Sequence, residues 1–96
     1  MSQVKRIVGV EYRHKLMTAY LKVWGRTEMS AERAARRIAR WLQEELPEAS
    51  VVALRPKGFD EVHKGYVTQI PIIIASCEGS AKAVINRMVL QGDLPS

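Results

Sequence analysis

The stretch Ser30-Ala31-Glu32-Arg33-Ala34-Ala35-Arg36-Arg37-Ile38-Ala39-Arg40-Trp41-Leu42-Gln43-Glu44-Glu45-Leu46 decides the fold. Its apolar residues, Ala31, Ala34, Ala35, Ile38, Leu42 and Leu46, recur at helical spacing and form one stripe when turned by about 100° per residue. Ser30 is placed to cap the first turn, and Pro47 follows the last apolar position. The spacing therefore predicts a helix over Ser30 to Leu46. A helix with a single apolar stripe needs another apolar surface to cover, and a sheet face is the natural one.

Upstream, Val4 to Gly25 is rich in Val, Tyr, Leu and Trp around the polar cluster Arg13-His14-Lys15, and reads as two antiparallel strands joined by a tight turn. Alternation in the second strand puts Met17, Ala19, Leu21 and Val23 on one face and Thr18, Tyr20, Lys22 and Trp24 on the other. A three-residue loop would set Val8 and Val10 beside Tyr20 and Thr18. An even-length loop sets them over Ala19 and Met17, and is preferred because register follows the buried face. Lys5 and Ile7 then fall beside the Tyr20 face.

Downstream come a strand from Ser50 to Leu54, a polar loop from Arg55 to Lys64, a strand from Gly65 to Ala75 and a helix from Ser80 to Gln91. Ala81, Val84, Ile85 and Met88 make the apolar side of that helix, and Gly92 suits the position just past its end. The expected fold is a single α+β domain over residues 1–96: a two-layer sandwich of order ββαββα, an antiparallel sheet with two helices on one face. Ile70-Pro71-Ile72-Ile73-Ile74 is apolar on both sides, yet Pro71 has no N–H for a ladder. This combination points to an edge or bulged strand covered by a second copy of the chain, and so to a homodimer.

The chain's 96 residues, 47% hydrophobic and 26% charged, exclude disordered and fibrous classes. No apolar run approaches the roughly 18–20 residues that a membrane span requires. The N-terminal segment lacks a signal peptide's apolar core, and the single cysteine, Cys77, excludes an intramolecular disulfide. The expectation is a cytoplasmic protein without a membrane partner.

Fifteen Lys and Arg against ten Asp and Glu leave a net charge of +5, which favours an anionic partner. Arg33, Arg36, Arg37 and Arg40 repeat at i, i+3, i+4, i+7, opposite the Ile38–Leu42 stripe, with Trp41 at the border. Glu32 is spaced to relieve Arg36, and Glu44 to relieve Arg40. Such a row suits contact with successive phosphates, although it also reads as a solvated helix face. Tyr20, Lys22 and Trp24 interleave aromatic and basic groups on the strand face that the helices leave open. That pattern stacks bases in single-strand binding modules and equally forms the centre of dimer interfaces.

Two weaker constellations carry residues capable of chemistry. Asp60, Glu61, His63 and Lys64 share a loop, without the spacing of a metal or acid–base site. Gly79, Ser80 and Lys82 sit where a helix start can hold a phosphate, but Glu78 opposes an anion there. The expected function is a non-enzymatic nucleic-acid-binding protein of low sequence specificity, for DNA or RNA, with no cofactor and no metal. Its phosphate contacts are Arg33, Arg36, Arg37, Arg40 and Lys22, and its stacking residues Tyr20, Trp24 and Trp41. The alternative is a regulator or inhibitor that docks on an acidic protein.

Overall fold

Thr27, not Ser30, opens the first helix. Its hydroxyl accepts from the Ser30 N–H at 3.1 Å while Ser30 Oγ accepts from the Thr27 N–H at 3.1 Å, a reciprocal capping box. The helix, α1, runs Glu28–Glu45 and ends at Leu46, just before Pro47. Ala31, Ala34, Ala35, Ile38, Leu42 and Leu46 are all buried, as the periodicity requires. The structure, a computed structural model, describes residues 5–94. Val4, taken above as the start of the first strand region, lies outside the described residues.

The elements before α1 are β1 (Ile7–Arg13) and β2 (Thr18–Gly25). Those after it are β3 (Ser50–Val51), β4 (Phe59–Asp60), β5 (Gly65–Ile73) and α2 (Glu78–Gln91). All strand pairs are antiparallel, in the order β1-β2-β5-β3, with β4 also on β5. The segment read as a loop from Arg55 to Lys64 thus contains a strand. β4 exists because Phe59 and Asp60 lie beside Tyr66 and Gly65, a tertiary pairing with no local signature.

The first hairpin keeps an even loop, but the register differs from the expected one. A 3-10 turn at His14–Leu16 and Met17 in the left-handed region (φ 48°) join the strands, so Arg13 pairs with Thr18 and Val10 with Leu21. Met17 is therefore a turn residue rather than part of the inward series. A bulge between Ile7 and Gly9 then reverses the alternation. Ile7, expected beside Tyr20, is only 1% exposed and belongs to the core. From β2 and β5, Ala19, Leu21, Val23, Ile70 and Ile72 face inward, and they share one core with Ala34, Ala35, Ile38 and Leu42 of α1 and Ala81, Ile85 and Met88 of α2. Val84 packs at its margin. Gly92 terminates α2 at φ 77°, in the region glycine adopts without strain, and its carbonyl accepts from the N–H groups of Arg6 and Ile7 at 2.8 Å.

β5 is not an edge. β2 lies along one side of it and β3 and β4 along the other. The Pro71 carbonyl accepts from the Val52 N–H at 3.2 Å, so the missing donor also faces β3 rather than β2. The proline is tolerated because it spoils only that ragged side, where β3 ends at Val51 and only single bonds, such as Leu54 N–H to Gln69 carbonyl at 3.0 Å, continue. The bare-edge argument for a second copy loses its basis. Gln43 of α1 closes the far side of β3: its amide donates to the Leu46 and Ala49 carbonyls and accepts from the Val51 N–H.

Candidate functional site

Outward positions on β2 alternate with the buried Ala19, Leu21 and Val23, which brings Tyr20, Lys22 and Trp24 to the other face of the sheet, each half-buried. Opposite them on β5 stand Pro71, Gln69 and Val67. Two guanidinium groups flank the aromatic rings: Arg13 lies 5.1 Å from the Tyr20 ring centre and Arg6 6.0 Å from that of Trp24. Arg13 also pairs with Glu11 at 2.9 Å. The Trp24 indole N–H donates to the His63 carbonyl at 2.9 Å, and its ring lies so close over Gly65 that no side chain fits there.

That bond holds the 54–63 segment over the sheet. The Thr68 hydroxyl donates to the Leu54 carbonyl, and Phe59 meets Tyr66 edge to face at 5.7 Å. Between segment and sheet lies a cavity of about 460 Å³, whose walls include Lys22, Arg55, Lys57, Phe59, Asp60 and Gln69. A second hollow of about 240 Å³ lies against Lys5, Val8, Trp24 and His63, so Trp24 borders it and His63 borders both. Asp60 faces its own turn: its carboxylate accepts from the N–H groups of Val62 and His63 at 2.9 and 3.1 Å and lies 3.4 Å from the His63 ring. The His63 N–H is the main reason that this carboxyl stays below the ordinary aspartate range, against an opposing effect of burial.

The arginine row stands on α1, whose buried stripe faces the core, so the row points away from the sheet. Arg33, Arg36, Arg37 and Arg40 are all exposed. Arg36 reaches Glu32 at 3.7 Å, as its spacing suggests, and Arg37 reaches Asp93 beyond α2 at 3.8 Å. Arg40 makes no ion pair with Glu44. Trp41 is half-buried and packs against the core. The residues expected to act together thus occupy two surfaces of a molecule measuring 35 × 28 × 20 Å.

The start of α2 holds Glu78 bound to Lys82 at 2.9 Å, with the Lys82 ammonium also over the Tyr12 ring. Cys77 caps this helix without a side-chain bond, and burial, then Glu48, push its thiol pKa up. Among the described residues no group of three or more His, Cys, Asp or Glu is placed to hold a metal ion. No helix among them is long and apolar enough to cross a membrane.

Sequence reasoning did not single out Arg55, Lys57, Phe59 and Gln69, which line the larger cavity. The signal available was Leu54-Arg55-Pro56-Lys57-Gly58-Phe59, basic and aromatic residues spaced by a proline and a glycine. Comparison with family models, with curated proteins and with solved structures finds no match to this chain.

Proposed function

We propose that this protein binds single-stranded nucleic acid, without catalysing a reaction, on the open face of a two-layer sandwich. The observation that carries this reading is the row Tyr20, Lys22, Trp24 with a guanidinium beside each ring. Tyr20 and Trp24 lie about 13 Å apart along an extended strand, which gives two stacking platforms with a cation between them. Every base has a flat face, so the preference for sequence is weak. The arginine row on α1 then serves as a second cationic surface that raises the rate of encounter.

Anisotropy titration of a labelled oligonucleotide at several salt concentrations tests the reading. Removing one stacking ring by Tyr20→Ala is expected to weaken binding roughly 5- to 150-fold, the cost of about 1–3 kcal/mol per base. Lys22→Glu is expected to lower the salt slope by about 1 or more. Full affinity in both variants would overturn the assignment to this face.

A second reading draws on Val52, Leu54 and Ile73, which are exposed at 55%, 43% and 50%, Val52 and Leu54 lying across β5 from the β2 row. Exposed apolar residues, of which Leu54 shares its cavity with Lys22, Arg55 and Lys57, also suit a protein partner or a homodimer. A dimer through this face would cover Tyr20. Sedimentation with and without oligonucleotide separates the two, because nucleic acid would then dissociate the dimer.

A further inference from the structure

We infer that the cavity between the 54–63 segment and the sheet takes a nucleotide carrying a terminal phosphate, either a strand end or a free mononucleotide; the strand-end case rests on the nucleic-acid reading of the open face. Lys22, Arg55 and Lys57 bring three positive charges to the walls, and Asp60 brings one negative. Asp60 is already engaged by two N–H groups of its own turn and by the His63 ring. Among the described residues, the ion pair that competes for these cations is Arg55 with Glu32 at 3.9 Å, which is long and solvent-exposed on the arginine side, and such pairs are weak.

The net charge of the walls therefore matches a phosphomonoester, which carries about two negative charges, better than a phosphodiester inside a strand, which carries one. The rest of the cavity fits the remainder of a nucleotide. Its volume of about 460 Å³ lies within the range of small-ligand sites. Phe59 supplies an aromatic wall whose orientation is fixed against Tyr66, and Gln69 supplies an amide that both donates and accepts. Lys22 belongs both to the cavity and to the open-face row, so a strand lying along β2 leads directly to this site.

The test uses the full chain and short labelled oligothymidines ending in a 5′-phosphate, a 3′-phosphate or hydroxyls only, together with thymidine 5′-monophosphate alone. Arg55 and Lys57 are exposed, and circular dichroism checks that the double variant Arg55→Ala, Lys57→Ala keeps its fold. A strand-end site predicts that one phosphorylated oligonucleotide binds at least fivefold tighter than the hydroxyl form, and that the double variant removes this advantage. The exposed control pair Lys15→Ala, Arg87→Ala, outside the cavity, leaves the advantage in place. A site for free nucleotide predicts binding of the monophosphate that the double variant abolishes, whether or not oligonucleotides bind. Equal affinity for all oligonucleotides with no binding of the monophosphate overturns the inference and leaves the open-face reading standing. Loss of the phosphate advantage in the control pair as well overturns it in favour of general charge attraction. Failure of every probe to bind overturns both.

Discussion

A Cβ on Gly65 would run into the Trp24 indole and stand 2.7 Å from the Gly25 carbonyl oxygen. Gly65→Ala is expected to destabilise the protein by about 1–3 kcal/mol, as overpacking does, measured as a lower urea midpoint with an unchanged slope. The same variant should weaken the bond between the indole and the His63 carbonyl, and with it the seating of the 54–63 segment. Nothing in the sequence marks this glycine as different from Gly58 or Gly79, where an added Cβ meets nothing within 4 Å. Its role depends on a ring that is 41 residues away in the chain and adjacent only once β2 and β5 have paired. Tyr20, Lys22 and Trp24, by contrast, were legible as a face, because alternation along one strand needs no knowledge of the neighbours.

At the level of elements, the capping box of α1 supplies the sharpest test. Thr27→Ala removes the side-chain acceptor for the Ser30 N–H and is expected to cost about 1 kcal/mol, read by chemical denaturation. Ser30→Ala should cost less than the loss of a true N-cap, since Ser30 is the third helical residue and its hydroxyl serves the reciprocal bond. The body of this helix was legible because six apolar residues repeat the period of the helix. Its start was not, because Thr27 and Ser30 are both capping residues and only the geometry distinguishes them. The hairpin register and the placement of β5 failed for related reasons. One bulge at Val8 moved Ile7 to the core, and one proline had a meaning that depended on which side of the strand its nitrogen faced.

For the whole molecule, the separation of two cationic surfaces is the feature that function must accommodate. If the open face binds and the α1 row steers, Arg36→Glu with Arg37→Glu should slow association several-fold at low salt while leaving dissociation nearly unchanged. Stopped-flow mixing with labelled oligonucleotide reads both rates. A large increase in dissociation would instead place bound phosphates on α1. The arginine row was visible in the sequence, as was the strand face, but the cavity was not. Arg55, Lys57 and Phe59 share a cavity with Lys22 once β4 pairs with β5 and Trp24 binds the His63 carbonyl. Gln43 has a consequence of a different kind. By occupying the Val51 N–H with a side-chain oxygen, it takes from the β3 rim the donor that an incoming strand would need there. Sheets grow into open-ended polymers only when both rims can accept a neighbour. With that donor taken, an incoming strand finds one bond fewer on the β3 rim, and edge-to-edge growth is discouraged at that point.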